Sequence, residues 1–330
     1  MGFSDVVRWA EHRINSADLK AKARRGWAPQ VTGFTGYGNS ERARVLGRVL
    51  MADPEREPKT EVERGYRQFF TTQVPDIEVT VTLGAQTVTA QTNGNGYLEV
   101  LILDHGLEPG WHTATVQTPL SAEPSEAQVQ IISDDVTHGL ISDVDDTIMV
   151  TMLPRAMLAA WNSWVKKTNT RQPIAGMDDL YSAVLGPDEP TFYVSTGAWN
   201  TYDTLTDFIA REKLPRGPLL LTDWGPTPTG LFRSGKEHKR VALRNLIVDF
   251  PNIRWTLAGD DGQHDPMLYS DLVQEHPDRV RLVAIRELSR SEHMLAHGTT
   301  TTISQPGNYR TIKSIHGHTG FDLLEEYRHL

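Results

Sequence analysis

Three aspartates and a threonine lie within positions 143–147, directly after the short apolar run 139–141. Carboxylates held this close repel one another, which costs free energy unless a cation or a reacting group neutralises the charge. A strand that ends in Asp143, Asp145 and Thr147 is poorly suited to packing. The spacing therefore predicts chemistry that uses carboxylates at this point of the chain.

Further polar side chains follow other predicted elements of the same half of the chain. They are Ser195-Thr196-Gly197 after the apolar run 191–194, Lys239 at the start of the helical segment 239–250, and Asp260 and Asp265 after the apolar run 255–258. A hydroxyl, an ammonium group and a late acidic pair complete the types of group that phosphoryl transfer needs. The sequence thus predicts one site built from four separate segments.

In this order, the four motifs resemble those of haloacid-dehalogenase-type (HAD-like) phosphatases. The resemblance implies that Asp143 attacks phosphorus and that Asp145 acts as general acid and general base. A carboxylate nucleophile can form an acyl phosphate that water later hydrolyses. Thr147 is expected to fix this loop and to position Asp145.

The same chemistry calls for a metal ion, and Mg²⁺ is the expected cofactor. Asp143 and Asp260 offer the hard oxygen ligands that Mg²⁺ prefers, and the backbone carbonyl of Asp145 is a third candidate. Asp265 is expected to support the ion indirectly or through water, and Asp261 is the competing candidate for that role. The ion would let an anionic nucleophile approach an anionic phosphate.

A second group of residues is expected to bind the phosphoryl group itself. Ser195, with the backbone amides of Thr196 and Gly197, would bind a phosphoryl oxygen. The hydroxyl of Thr196 is the alternative, because the pattern does not fix the end of the strand to one residue. Lys239 would neutralise the phosphate and brace the nucleophile, and Lys236 is its rival three residues earlier.

The elements that must position these side chains alternate between strand and helix from about 136 to 290. The expected strands are 139–142, 191–195, 219–222, 255–259 and 280–285, with helices between them such as 202–211 and 239–250. This alternation predicts an α/β domain, a Rossmann-like parallel sheet with helices on both faces. Ligands of such sheets bind at the carboxyl ends of the strands, which is where the polar motifs fall.

The preceding residues, 30–135, are predicted to form short strands separated by turns. Residues 77–83 alternate between apolar and polar side chains, and Asn93-Gly94-Asn95-Gly96 is a strong turn signal. The pattern predicts an antiparallel, β-sandwich-like domain. The expected organisation is an N-terminal helix and basic segment (1–29), this β domain (30–135), the phosphatase domain (136–290) and a C-terminal tail with a short helix (291–330).

Composition narrows the class of protein and its expected location. The chain has 330 residues, no cysteine and a formal net charge of −9. The charge argues against a nucleic-acid-binding protein, and the missing thiols exclude disulfides and thiol catalysis. No window approaches the roughly 18–20 apolar residues of a membrane span, and residues 1–17 lack the core of a secretory signal. We expect a cytoplasmic protein without a transmembrane segment.

A closer resemblance is carried by several consecutive motifs. They are Gly139–Ile148, Phe192-Tyr193-Val194-Ser195, His238-Lys239, Phe250-Pro251, Gly259-Asp260, Asp265-Pro266 and Tyr269. Together they resemble the catalytic domain of the actin-patch phosphatidate phosphatases and their bacterial relatives over about 138–290. The resemblance implies Mg²⁺-dependent conversion of phosphatidate to diacylglycerol. Thr196-Gly197 and Asp261 depart from the eukaryotic pattern, but neither change removes a catalytic group.

Two segments are candidates for contact with a lipid surface. The segment 149–171 is rich in methionine and tryptophan and ends in Lys166, Lys167 and Arg171. The segment 1–17 has a short apolar helical face and is followed by basic residues. Each could lie at an anionic membrane surface or could instead pack on the protein's own core, and for 1–17 the short apolar face favours packing on the core. A phosphatase of a soluble phosphometabolite and a non-catalytic lipid- or protein-binding module are the alternative functions.

Overall fold

The computed structural model describes residues 18–53, 72–121, 123–150, 172–222, 235–262, 264–297, 307–309 and 311–330. Most of the segment 149–171 and all of 1–17 lie outside the described residues. The chain divides into two compact units. The first contains the described residues up to Asp134 with Ala198–Tyr202 and Thr222, and the second contains the described remainder.

The first unit is built on one seven-stranded sheet in the order β4-β3-β6-β7-β1-β2-β5. The strands are β1 (Ala28–Gly38), β2 (Arg42–Ala52), β3 (Glu78–Leu83), β4 (Gln86–Gln91), β5 (Tyr97–Leu103), β6 (Gly110–Gln117) and β7 (Ser125–Ile131). β1 and β7 pair in parallel, whereas the other neighbours are antiparallel. The sheet is therefore mixed, which corrects the prediction of a purely antiparallel domain.

One face of this sheet supplies the core of the first unit. Along β5, Leu98, Val100 and Ile102 are buried, while the alternate residues Leu101 and Leu103 are exposed. The same alternation recurs along β3 and β7, so the inward side chains form a single apolar cluster. The period of two in the sequence accounts for this cluster.

The turn before β5 forms where the Asn-Gly repeat predicted it. Gly96 has a φ of +76°, and the amide of Gly96 donates to the carbonyl of Asn93 at 2.9 Å. A Cβ atom at Gly96 would lie 2.6 Å from the carbonyl oxygen of Val49. Glycine is needed here for its backbone conformation and for the close approach of β2.

The second unit contains a six-stranded sheet in the order β10-β9-β8-β11-β12-β13. The strands are β8 (His138–Ser142), β9 (Thr191–Ala198), β10 (Leu219–Thr222), β11 (Arg254–Asp260), β12 (Val280–Arg286) and β13 (Lys313–Gly317). The pairs β8–β9, β8–β11, β11–β12 and β12–β13 are all parallel. The α/β prediction is confirmed at this level, and five of these strands lie where the apolar runs placed them.

Helices follow most of these strands. Among the described residues they are α1 (Met177–Val184), α2 (Tyr202–Arg211), α3 (Gly235–Asp249), α4 (Asp265–Glu275), α5 (Arg290–His297) and α6 (Gly320–Arg328). α4 begins with Asp265 and Pro266 in its first turn, where an acidic side chain and a missing N–H are both favourable. α6 begins with a capping box between Thr319 and Asp322.

The end of the chain contributes to the parallel sheet. The sequence analysis assigned 291–330 to a tail with a short helix; α6 confirms the helix, but residues 313–317 form β13, the edge strand beside β12. Ile315 is the one fully buried residue of β13. A strand with so few apolar residues gives almost no periodic signal, which explains the error.

None of the helices in the described part of the chain is long and apolar enough to cross a membrane.

Candidate active site

The polar motifs meet because their strands are neighbours. β8 lies between β9 and β11, and Ser142 at the end of β8 is paired with Tyr193 on one side and Ala258 on the other. Asp143 directly follows this row, and its amide donates to the carbonyl of Ala258 at 2.8 Å. Ser195 lies two residues after Tyr193 on β9, and Asp260 lies two residues after Ala258 on β11. Parallel pairing therefore brings three distant segments to one edge of the sheet.

Three carboxylates are buried together at this edge. Asp143, Asp260 and Asp265 are each at most 2% exposed, and one oxygen of each lies within 4.8 Å of the others. Lys239 Nζ lies 2.7 Å from an Oδ1 of both Asp143 and Asp265. Three ionised carboxylates and one ammonium group would leave a net charge of −2 in a buried space.

Lys239 reaches the cluster because of the face it occupies on α3. Ala242, Leu243, Leu246 and Ile247 follow at positions i+3, i+4, i+7 and i+8, and all are buried. These residues form the apolar face of the helix, so Lys239 lies on the packed side. The ammonium group of Lys236 instead lies 3.5 Å from Met267 Sδ. Of the two candidate lysines, the structure brings Lys239 to Asp143.

Burial and mutual repulsion change the protonation of the cluster. Burial raises the pKa of Asp143 to about 7; Lys239 opposes this rise, while Asp265 and Asp145 add to it. Burial also raises the pKa of Asp260 well above its ordinary value, with further contributions from Asp265 and Asp143. Burial alone would lower the pKa of Lys239, but the neighbouring carboxylates raise it. The cluster holds more negative charge than its one cation balances.

The donor set fits a divalent cation. Oδ1 of Asp260 accepts from the amide of Gly262 at 2.8 Å, whereas Oδ2 is buried and has no hydrogen-bond partner among the described residues. A buried carboxylate oxygen without a partner is costly, and coordination of a metal would remove the cost. All three side chains offer hard oxygen atoms, which suit Mg²⁺.

Asp145 and Ser195 form a second pair beside the cluster. Ser195 Oγ donates to Asp145 Oδ2 at 3.1 Å and accepts from the amide of Gly197 at 2.9 Å. Thr147 Oγ1 lies 3.4 Å from Asp143 Oδ2. Thr196 packs against α3, because a Cβ atom at Gly235 would lie 2.7 Å from the Thr196 methyl carbon. Ser195 is thus the hydroxyl that the structure places against Asp145.

The late acidic residues separate into two environments. Asp265 takes part in the buried cluster, and its Oδ2 lies 3.4 Å from the amide of Asp260. Asp261 Oδ1 instead accepts from the amide of Leu288 at 2.8 Å and lies 3.6 Å from His293 Nε2. Between the two candidates, Asp265 is the one that reaches the other site carboxylates.

Sequence reasoning missed one buried charged residue at the same edge. Arg286 ends β12, is 5% exposed and donates through Nη1 to the carbonyl of Asp146 at 2.8 Å. It is paired with Asp260 in the register of β11 and β12. The available signal was its place at the end of an apolar strand, the same signal that identified Asp143 and Asp260.

Comparison with known proteins identifies similarity in the second half of the chain. Residues 138–287 match a family model described as "Phosphatidate phosphatase APP1, catalytic domain". The chain is 29% identical over 163 residues to the phosphatidate phosphatase APP1 of Saccharomyces cerevisiae, which covers 46% of this chain and 26% of that protein. It is 22% identical over 151 residues to an uncharacterized protein of Schizosaccharomyces pombe, covering 46% and 25%. The chain therefore spans about a quarter of these relatives.

Similarity to solved structures adds nothing to this. A calcium-stabilised, ice-binding adhesin of an Antarctic bacterium is 13% identical, with 39% of this chain and 28% of that chain covered. The TM-score of this match is 0.20, so it carries no argument about the fold.

Proposed function

We propose that this chain is a phosphatase that converts phosphatidate to diacylglycerol and inorganic phosphate, because residues 138–287 match the family of phosphatidate phosphatase catalytic domains. We further propose that the second unit is a HAD-like domain and that catalysis depends on Mg²⁺. One observation carries the proposal. The buried carboxylate of Asp143 contacts Lys239. Nearby, the carboxylate of Asp145 accepts a hydrogen bond from the hydroxyl of Ser195, a group that can also bind phosphate.

In the first step, a carboxylate oxygen of Asp143 attacks phosphorus, and the bond from phosphorus to the ester oxygen breaks. Asp145, protonated at the start, gives its proton to the departing alkoxide, so the lipid leaves as an alcohol. The product on the enzyme is an aspartyl phosphate at Asp143. Lys239 balances negative charge that the phosphoryl group brings to the nucleophile.

In the second step, Asp145 is a carboxylate and removes a proton from water. The water oxygen attacks phosphorus, the acyl phosphate bond breaks, and inorganic phosphate leaves with Asp143 restored. Ser195 would turn its hydroxyl from Asp145 to a phosphoryl oxygen, with the amides of Thr196 and Gly197 close by. One pair of aspartates thereby serves both halves of the reaction.

Asp143 and Asp260 would hold the Mg²⁺ ion, with the backbone carbonyl of Asp145 as a further ligand and Asp265 in support. When bound, the ion would supply positive charge that keeps Asp143 ionised and offsets repulsion between the carboxylate and the phosphate. The unpartnered oxygen of Asp260 and the raised pKa of Asp143 both support this assignment.

The substrate is the finer part of the proposal. It rests on the activity for which the yeast relative is named and on the apolar and basic character of the segments 149–171 and 1–17. We propose that the protein works at the surface of a membrane, from the cytoplasmic side. A soluble phosphometabolite is the competing substrate, and a non-catalytic binding module is the competing function.

The test is phosphate release from phosphatidate in mixed micelles and from a soluble phosphomonoester, each with and without Mg²⁺. We expect Mg²⁺-dependent release from the lipid, reduced about 10³-fold or more in Asp143→Asn. Asp145→Asn should lose turnover and keep a folded circular dichroism spectrum. Release from the soluble ester alone would retain the chemistry and reject the lipid. Release from neither substrate would contradict the proposal that the protein is a phosphatase.

A further inference from the structure

Arg286 is a buried cation whose hydrogen bonds converge from three parts of the second unit. Nη1 donates to the carbonyl of Asp146 at 2.8 Å, and Nε donates to the carbonyl of His318 at 3.0 Å. Nη2 forms an ion pair with Glu292. Burying a charged side chain is costly unless it is paired and hydrogen-bonded, and each edge of this guanidinium is used.

The acceptor on Asp146 lies in the loop that carries the proposed catalytic groups. Asp146 has a φ of +59°, in the left-handed region that non-glycine residues rarely occupy. This conformation costs about 1–2 kcal/mol, somewhat less for aspartate, and persists only where the surroundings hold it. The amide of Asp146 donates to the carbonyl of Met149 at 2.8 Å, and its carbonyl accepts from Arg286. The residue is thus held on both sides.

A change at Asp146 would move its two neighbours in the chain. Asp145 precedes it and accepts from Ser195 Oγ, while Thr147 follows it and approaches Asp143. Both contacts depend on the backbone conformation at Asp146, which lies between the two residues. The guanidinium is therefore connected to the proposed acid–base group through a single residue.

The backbone of Arg286 connects the same point to the acidic loop after β11. The amide of Asp261 donates to the carbonyl of Arg286 at 3.0 Å. β12 thus contributes its backbone to the loop that follows Asp260 and its side chain to the loop that follows Asp143. A single residue fixes the two acidic loops relative to each other.

We infer that Arg286 is a positioning residue that holds the Asp145–Thr147 loop in the conformation needed for proton transfer by Asp145. The inference rests on the proposed function for its kinetic part only. Lysine is a point charge on a flexible stem and cannot reproduce three hydrogen bonds from one rigid plane. Arg286→Lys therefore keeps the positive charge and removes the planar set of hydrogen bonds to Asp146, His318 and Glu292.

The chain offers a matched control next to the other end of the same strand. Arg279 directly precedes β12 and donates through Nε and Nη2 to the carbonyl of Ile253 at 3.2 and 2.7 Å. It contacts the turn after α3, at the opposite end of β12 from the acidic loops. Arg279→Lys removes the same kind of guanidinium–carbonyl bonding without touching the loop of Asp146.

The kinetic experiment compares phosphatidate with an aryl phosphate, p-nitrophenyl phosphate, in single-turnover measurements of leaving-group release, which report the first step alone. An alkoxide leaving group needs a proton from Asp145, whereas a nitrophenolate leaves without one. We expect Arg286→Lys to lower the single-turnover rate of diacylglycerol release about 10–100-fold, with a much smaller loss in the single-turnover rate of nitrophenolate release. Asp145→Asn should show the same preference, and Arg279→Lys should not. Equal losses in the two single-turnover rates would overturn the inference.

A second readout does not depend on activity. Hydrogen exchange followed by mass spectrometry should show faster exchange in peptides covering 143–149 for Arg286→Lys and unchanged exchange there for Arg279→Lys. Unaltered exchange at 143–149 would reject the positioning role. If exchange at 143–149 is faster in Arg286→Lys but the wild-type protein releases no phosphate, the proposed phosphatase function is wrong and the positioning role of Arg286 stands. Glu292→Gln keeps the arginine, removes its charged partner and serves both readouts if Arg286→Lys does not fold.

Discussion

At the scale of single residues, Lys239 and Lys236 show how position on a helix decides the role of a side chain. Both are in the first two turns of α3, three residues apart. Lys239 is buried against Asp143 and Asp265, whereas Lys236 is partly exposed beside the sulfur atom of Met267. The first is surrounded by negative charge and the second lies outside the carboxylate cluster.

Lys239→Met should lower phosphate release about 10²–10³-fold, because the transition state loses a buried positive charge. Lys236→Met should stay close to wild-type turnover. The measurement is steady-state phosphate release, with thermal unfolding of both variants to show that they fold. Equal losses in the two variants would assign the phosphate-binding charge to both lysines and contradict the geometry.

The sequence allowed the main site residues to be predicted because their signal is local. Asp143 and Asp260 each end an apolar strand, and parallel strands bring their ends together. Asp265 was preferred to Asp261 from the sequence, but Asp261 stayed a candidate because the choice depends on how α4 turns back toward β11. Arg286 was missed because a single arginine after a strand looks the same as a solvated one.

At the scale of elements, the site depends on the close approach of β11 and α4 at Gly259. A Cβ atom there would lie 2.7 Å from Asp265 Oδ2 and 2.8 Å from Tyr269 Cε2. Tyr269 also donates from its hydroxyl to the carbonyl of Ala258 at 2.8 Å. The strand and the helix therefore meet with no room for a side chain, and this contact fixes the carboxylate of Asp265.

Gly259→Ala should lower the free energy of unfolding by about 1–3 kcal/mol, because an added methyl group overpacks this contact. It should also weaken Mg²⁺ binding, since Asp265 must move. The measurements are denaturant unfolding and isothermal titration with Mg²⁺. Gly94→Ala is the control, because a Cβ atom at Gly94 meets nothing within 4 Å. A Gly259→Ala protein with wild-type stability and Mg²⁺ affinity would contradict the packing argument.

The strands that sequence analysis missed share a physical cause. β4 reads Gln-Thr-Val-Thr-Ala-Gln, with none of its side chains fully buried, and β1 contains a proline and three glycines. β4 alternates only briefly, with Val88 and Ala90 as its two apolar residues, and the glycines of β1 interrupt its apolar pattern. Pairing with neighbouring strands therefore determines both. The parallel pairing of β1 with β7 joins residues far apart in sequence, such as Gly36 and Val129, and no local pattern encodes it.

At the scale of the whole molecule, the acidic cluster connects protonation, stability and metal binding. The folded pKa of Asp143 is about 7, above its ordinary value of 3.8, and that of Asp260 is also raised. A group with a raised folded pKa favours folding below its unfolded pKa, and this contribution is lost as pH rises through the folded pKa. Without metal, we therefore expect the cluster to become destabilising between about pH 4 and 7.

Mg²⁺ should reverse this trend, because it binds the ionised carboxylates and so competes with protons. We expect the increase in unfolding temperature on adding Mg²⁺ to be small at pH 5 and larger at pH 8. Differential scanning calorimetry across this range measures it. Asp260→Asn should lose most of the increase at both pH values. An increase that is independent of pH would show that the ion binds elsewhere.

The parallel pair of β1 and β7 also has a consequence during synthesis. During synthesis β1 emerges first and β7 last among the strands of the first unit. The edge of β1 that pairs with β7 therefore stays unpaired until almost the whole unit has emerged from the ribosome. An unpaired edge of this kind is a template for pairing with another chain. A nascent protein that stalls before β7 would therefore be exposed to aggregation, and chaperone demand should concentrate on that interval of translation.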